Sequence, residues 1–149
     1  LMLISSRPLL QLAALTGLLT ACGSSGGLPG VTPSVAISSP TNNSSVNLSL
    51  TRKVVVNFNT NYTIKAPGTC AGADHCGHVY VLVDNSSCNS SGLPYNTLAS
   101  SSPVEADFSK CATATGMHTI TLELHHDDGT PVLSLTNSPV TTQVTITAQ

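Results

Sequence analysis

A chain of 149 residues is long enough for one domain with an appendage. Its charged fraction of 8% is far below the quarter or so of an average globular chain, and its formal net charge is −2. The five basic residues form no stripe and the chain has no Trp, which excludes the basic, aromatic surface that a nucleic-acid partner requires.

The first 21 residues have the pattern of a bacterial signal peptide. Arg7 is the single charge of residues 1–7, and residues 8–21, PLLQLAALTGLLTA, carry none. This apolar stretch is shorter than the roughly 20 residues that cross a membrane. The sequence therefore predicts a signal peptide over residues 1–21.

The apolar stretch ends in Leu19-Thr20-Ala21-Cys22. This tetrapeptide resembles the lipobox of bacterial lipoproteins, in which a leucine and two small residues precede a cysteine. The resemblance implies that the Cys22 thiol receives a diacylglyceryl group, that the chain is cut before Cys22, and that the protein binds the membrane of the bacterial cell envelope through it. The alternative is an ordinary signal peptide with an unrelated cysteine. Gly23 is not acidic, which by the same resemblance implies the outer rather than the inner membrane.

The residues after the cysteine predict a flexible tether over 22–33. Residues 23–33, GSSGGLPGVTP, contain four Gly and two Pro and show no apolar period. The same stretch satisfies the pattern G-x-S-x-G at residues 23–27. That pattern marks a catalytic serine only between a strand and a helix, so we predict a loop here.

Residues 34–149 carry the pattern of a β-rich domain. Apolar and polar residues alternate with period 2 in about seven segments: Val35–Ile37, Val46–Leu50, Lys53–Asn59, Gly77–Asp84, Pro103–Ser109, Met117–His125 and Val140–Thr147. No window of this region has the 3.6-residue period of a helix. We therefore predict an all-β, antiparallel sandwich of about seven strands, with a barrel as the alternative.

Three segments resemble immunoglobulin-like domains of bacterial surface lipoproteins, a poorly characterised secreted family. These are residues 35–46 (VAISSPTNNSSV), 77–84 (GHVYVLVD) and 116–124 (GMHTITLEL). The family strands read GHxHxxxD and GxHTLxLxL, and this chain has Tyr80 where a second histidine often stands. The resemblance implies an immunoglobulin-like β-sandwich without a known activity.

The four cysteines of the domain are Cys70, Cys76, Cys88 and Cys111. An oxidising compartment predicts that they pair, in one of three connectivities, and spacing favours Cys70–Cys76 and Cys88–Cys111. The alternative is a metal site built from Cys70, His75, Cys76 and His78. Its spacing differs from the C-x2-C of a zinc knuckle.

The histidines allow a second kind of metal site. If the strands that contain His78 and Met117–His125 are antiparallel neighbours, His78, Glu123 and His125 lie together on the polar face of the sheet. Imidazole and carboxylate groups are suitable ligands for copper or zinc. The alternative interpretation is that these are ordinary polar surface residues.

Three functions remain after these exclusions. The first is a lipid-anchored, non-catalytic module that binds an unknown protein or glycan, or has a structural role. The second is a copper- or zinc-binding envelope lipoprotein that uses His78, Glu123 and His125. The third is a small hydrolase, but no Ser, His and Asp stand in a recognisable catalytic context. We therefore expect no enzyme activity, no catalytic residues and no cofactor.

Overall fold

The computed structural model describes residues 30–149, and Val31–Gln149 form one structural unit. The predicted signal peptide, the lipidation site Cys22 and the tether up to residue 29 lie outside the described residues. Thr32, near the end of the predicted tether, and Ser34, which follows it, are held against the domain, because Asn61 Nδ2 donates to the Thr32 carbonyl at 2.7 Å and Asn61 Oδ1 accepts from Ser34 N at 2.9 Å. Within the described range, no helix has the length and apolarity needed to cross a membrane.

The described residues form nine strands and one short 3₁₀ helix. The strands are β1 (Val35–Ser39), β2 (Ser44–Val46), β3 (Lys53–Thr60), β4 (Thr63–Ile64), β5 (Cys76–Val83), β6 (Thr97–Ala99), β7 (Val104–Asp107), β8 (Gly116–His126) and β9 (Thr141–Ala148). The 3₁₀ helix η1 (Phe108–Lys110) follows β7 and is capped by the Asp107 carboxylate. The prediction of an all-β domain is confirmed.

The strands form two sheets, one of three strands in the order β1-β3-β7 and one of six. The larger sheet has the order β2-β9-β8-β5-β4, and β6 also pairs with β5. The long strands pair antiparallel, as predicted. Two short pairings, β2 with β9 and β4 with β5, are parallel. The sequence underestimated the number of strands because β2, β4 and β6 have only two or three residues, too few to show a period of 2.

One predicted strand is wrong. The alternation of Val46–Leu50 continues past the real strand, because β2 ends at Val46 and the residues after it form turns. Leu48 is buried, whereas Leu50 is 95% exposed. An alternation of apolar residues identifies a strand only when a neighbouring strand pairs with it, and β9 pairs with residues 44–46 alone.

The hydrophobic core lies between the two sheets. The inner face of β3 contributes Val54, Val56 and Phe58, and the inner faces of β5 and β8 contribute alternate aliphatic residues of each strand. Phe108 of η1 is fully buried and closes one end of the core. Because the period of these strands is 2, the intervening residues of β5 and β8 point to the outer face of the six-stranded sheet.

Two disulfides fix the long loops of the domain. Cys70 bonds to Cys76 before β5, and Cys88 bonds to Cys111 between the β5–β6 loop and the end of η1. This is the pairing that spacing favoured. The Cys70–Cys76 bond leaves no thiolate for the alternative site of Cys70, His75, Cys76 and His78.

A candidate histidine and tyrosine site on the outer sheet face

The pairing of β5 with β8 determines the position of the predicted site. The two strands are antiparallel, with His78 opposite His125 and Tyr80 opposite Glu123. Directly opposed residues project to the same face of a sheet, and so do residues two apart in one strand. The structure therefore brings His78, Glu123 and His125 together on the outer face.

An aromatic stack joins these residues. The rings of Tyr80 and His125 are stacked with centroids 3.8 Å apart, and those of His78 and His125 are stacked at 5.9 Å. Tyr95 packs on Tyr80 with centroids 4.4 Å apart. Burial raises the pKa of the Tyr80 hydroxyl, and the nearby Tyr95 and Glu123 raise it further. The sequence did not predict the role of Tyr95, since it lies in a polar loop with no periodic pattern.

The ring of His125 is held by its surroundings. Its Nδ1 lies 2.8 Å from the Gly129 carbonyl oxygen, which can only accept, so Nδ1 carries a proton. Its Nε2 lies 2.9 Å from Glu123 Oε1, within ion-pair distance but outside the direction of a hydrogen bond. The turn at Asp127-Asp128-Gly129 therefore supplies a backbone contact to the site.

His78 is the unusual member of the site. It is 1% exposed, and neither of its ring nitrogens has a hydrogen-bond partner. Burial lowers the pKa of its imidazole, the neighbouring His125 lowers it further, and Asp127 and Asp128 act in the opposite direction. Burying a charge without a partner costs more than burying a neutral polar group, so this position favours the neutral form of the His78 imidazole.

The three predicted ligands are adjacent, but they do not form a preorganised metal site. A preorganised metal site needs at least three His, Cys, Asp or Glu side chains whose ligand atoms lie close to one another. Among residues 30–149, Asp84, Cys88 and Cys111 form the one such group in which all these atoms lie within 4.8 Å of each other. The donor atoms of His78, Glu123 and His125 do not meet this condition. The side chains would have to rotate before a single ion could contact all three.

A second polar cluster lies at the other end of the β5–β8 pair. Asp84 directly follows β5, and its Oδ2 lies 2.7 Å from Nδ1 of the buried His118. Asp84 Oδ1 accepts a hydrogen bond from Thr119 N at 2.9 Å. The ring of Phe108 packs edge-on against His118, with centroids 5.0 Å apart. His118 lies on the inner face of β8 together with Ile120, Leu122 and Leu124, and no sequence pattern indicates its carboxylate partner.

The described part of the chain also contains an open cavity of about 280 Å³. Its lining residues are Leu48, Ser49, Arg52, Ala114, Thr115 and Gln149. None of them belongs to the outer-face site or to the Asp84 and His118 pair. No Asp, Glu, His or Cys side chain lines this cavity, and its polar side chains are the hydroxyls of Ser49 and Thr115, the guanidinium of Arg52 and the amide of Gln149.

Comparison of the chain with protein-family models, with curated proteins and with solved structures finds no match in any of the three.

Proposed function

We propose that the protein is a lipid-anchored lipoprotein of the bacterial cell envelope, with a non-catalytic immunoglobulin-like domain that binds a partner or has a structural role. One observation carries this proposal. The two disulfides account for four of the five cysteines, and the fifth, Cys22, ends the apolar stretch that resembles a lipobox. In lipoproteins the thiol of a cysteine at that position carries the diacylglyceryl group. In this protein the other four cysteines are paired with one another, so Cys22 has no cysteine left to form a disulfide with.

The strand order supports an immunoglobulin-like topology. In such domains strands A, B and E share one sheet and strands C, F and G share the other. Here β1, β3 and β7 correspond to A, B and E, and β5, β8 and β9 correspond to C, F and G. The chain lacks the buried Trp and the disulfide between strands B and F that antibody domains have, so the likeness is one of topology.

The outer face of the six-stranded sheet is the surface that we assign to a partner, whether protein or glycan. Its polar residues along β8 and β9 include Thr119 opposite Thr145, Thr121 opposite Gln143 and Glu123 opposite Thr141, and Thr147 lies on the same face of β9. Tyr80 and Tyr95 adjoin this surface at the end of the sheet near β6. The hydroxyl and amide groups can donate and accept hydrogen bonds, and the aromatic rings beside them provide a surface for stacking.

The lipid anchor can be tested directly. The full chain is produced in a bacterial host that is fed labelled palmitate, and the membranes are separated from the soluble fraction. We expect wild-type protein to carry the label and to sediment with the membranes, because two or three acyl chains bind far more tightly than one. Cys22→Ala should lose both properties, and the neighbouring Ser24→Ala should keep them. Membrane-bound Cys22→Ala, or wild type without label, would overturn the proposal.

The choice of membrane has its own test. Density-gradient separation should place the wild-type chain in the outer membrane. Gly23→Asp should move it to the inner membrane, because an acidic residue at this position favours inner-membrane retention in enteric lipoproteins. Wild-type protein in the inner membrane fraction would contradict the outer-membrane assignment without affecting the lipid anchor.

The orphaned ring nitrogens of His78 favour copper or zinc binding as a second candidate function. The metal alone is titrated into the purified chain, with a chelator of known affinity as the competitor. We expect His78→Ala and His125→Ala each to weaken binding at least tenfold, whereas His126→Ala, at the exposed neighbouring position, should have little effect. Equal binding by His78→Ala and wild type would eliminate this candidate.

A further inference from the structure

The Cys88–Cys111 disulfide stands beside a carboxylate. Asp84 Oδ2 lies 3.9 Å from Cys88 Sγ, and ligand atoms of Asp84, Cys88 and Cys111 all lie within 4.8 Å of one another. We call these three residues the Asp84 cluster. The Cys70–Cys76 disulfide belongs to no such group among the described residues. The outer-face site does not use the Asp84 cluster.

The carboxylate of this cluster is held in place before any ligand arrives. Its Oδ1 accepts from Thr119 N, and its Oδ2 contacts His118 Nδ1 at 2.7 Å. The Asp84 backbone N also donates to the Thr119 carbonyl at 2.8 Å. Each carboxylate oxygen can accept more than one contact, so Asp84 retains the capacity to bind a cation on its Cys88 side.

Solvent reaches the cluster from one side. The Asp84 side chain is 33% exposed and Cys111 is half-buried, whereas Cys88 is buried. Both sulfur atoms of the other disulfide belong to buried residues, Cys70 and Cys76. A thiolate that attacks a disulfide must reach one of its sulfur atoms. An external thiol therefore has better access to Cys111 than to either cysteine of the other disulfide.

We infer that the Asp84 cluster becomes a Zn²⁺ site when a dithiol reduces the Cys88–Cys111 disulfide. One thiolate of the dithiol attacks Cys111 Sγ and Cys88 Sγ leaves as a thiolate. The second thiol of the reductant then displaces Cys111, so the dithiol ends as a cyclic disulfide and the protein holds two thiols. Zn²⁺ replaces the two thiol protons, which pass to solvent. The ligands are the two thiolates and the Asp84 carboxylate, and a water completes the tetrahedron.

The geometry suits this ion. In a tetrahedron, Zn–S bonds of about 2.3 Å and Zn–O bonds of about 2.1 Å place the ligand atoms about 3.5–3.8 Å apart. Asp84 Oδ2 and Cys88 Sγ, at 3.9 Å, are already close to this spacing, whereas the two sulfur atoms, bonded at 2.01 Å, must separate once the disulfide is reduced. The ion would also link the same two loops that the disulfide links, so the reduced domain keeps its crosslink.

His118 is a positioning residue in this proposal. A hydrogen bond from a histidine to a ligating carboxylate orients the carboxylate toward the metal, and losing such a contact typically lowers metal affinity about 10- to 100-fold. His118 does not contact the ion. Its effect should appear in the zinc affinity of the reduced protein, while the oxidised protein should keep its fold.

The experiment compares oxidised and reduced full-length protein purified in detergent. The protein is reduced with dithiothreitol under nitrogen and desalted, and Zn²⁺ is then titrated against a chromophoric chelator. We expect the reduced chain to bind one Zn²⁺ more than the oxidised chain does, and the same difference of one ion when both are measured in the His78→Ala background, which removes the outer-face histidine. Asp84→Asn should weaken binding of this additional ion at least tenfold, and the double variant Cys88→Ser/Cys111→Ser should lose it. The matched double variant Cys70→Ser/Cys76→Ser should still bind it.

Circular dichroism accompanies each titration, because reduction removes a crosslink. We expect Zn²⁺ to raise the melting temperature of the reduced chain but not that of the reduced Cys88→Ser/Cys111→Ser variant. Three outcomes would overturn the inference: a reduced wild type that takes up no zinc, folded or not; equal zinc binding by the oxidised and reduced chains; or a Cys88→Ser/Cys111→Ser variant that binds like wild type.

Discussion

His78 shows how a single residue on the outer face can depart from the rule that such positions are exposed. The sequence places it correctly on the polar face of β5, but the rings of Tyr80 and His125 pack against it and it is 1% exposed. Burial removes the water that would hydrogen-bond to the two ring nitrogens of His78, and no protein group replaces it. The fold therefore tolerates the neutral imidazole and disfavours the charged one.

This burial predicts a pH-dependent stability. The pKa of His78 is lowered in the folded state, so below about pH 6.5 the unfolded chain binds a proton that the folded chain does not. The stabilisation is present above that pH and is lost as the pH falls, at up to about 1.4 kcal/mol per pH unit until the folded state is also protonated. Urea denaturation from pH 7 to pH 5 measures the free energy of unfolding.

The variants separate His78 from the other histidines. His78→Phe keeps an aromatic ring in the buried position and removes the titration, so its stability should change less with pH than that of wild type. His126→Gln, at an exposed position, should leave the pH dependence unchanged. An unaltered slope in His78→Phe would show that another group causes the acid sensitivity.

At the scale of the element, Gly77 determines how closely β5 approaches β8. A Cβ atom at Gly77 would stand 1.9 Å from the His125 carbonyl oxygen and about 3 Å from further backbone atoms of β8. The obstacle is backbone rather than a flexible side chain, so the strands would have to separate. The glycine before His78 is therefore explained by strand packing, and the site depends on it.

We expect Gly77→Ala to lower the free energy of unfolding by at least about 3 kcal/mol, the upper end of the range for overpacking. Gly92→Ala is the control. Gly92 has a φ of +74°, and a Cβ atom there would have nothing within 4 Å of it. The Gly92→Ala substitution should therefore lower the free energy of unfolding through backbone strain alone, by roughly 1–2 kcal/mol. Urea denaturation of both variants gives the comparison. A cost at Gly77 equal to that at Gly92 would contradict the close approach of the strands.

The same strand pair shows what the sequence can predict. A period of 2 identified β5 and β8, and assuming that they pair antiparallel was enough to place His78 beside His125. The sequence does not predict that Tyr95 packs on the outer-face site or that Asn96 holds the β5–β6 loop to β7. Both residues lie in a polar loop whose path depends on contacts distant in sequence. Asn96 is fully buried and bonds to the Cys88 and Asp107 carbonyls and to Asp107 N. No local pattern distinguishes it from the exposed asparagines of the chain.

At the scale of the whole molecule, the two disulfides have different roles. Asn96 already ties the β5–β6 loop to β7 through the Cys88 carbonyl and Asp107, and the Cys88–Cys111 bond closes 23 residues around this contact. The Cys70–Cys76 bond closes only six residues and supports the start of β5. The longer loop has more conformational entropy to lose in the unfolded chain.

We therefore expect the two disulfides to contribute unequally to the stability of the oxidised protein. On loop entropy alone, Cys88→Ser/Cys111→Ser should lower the free energy of unfolding by about 3 kcal/mol and Cys70→Ser/Cys76→Ser by about 2 kcal/mol. Urea denaturation of the two double variants without added zinc measures the difference. A larger loss at Cys70–Cys76 would mean that packing at the start of β5, where Gly77 meets β8, outweighs loop entropy in this fold.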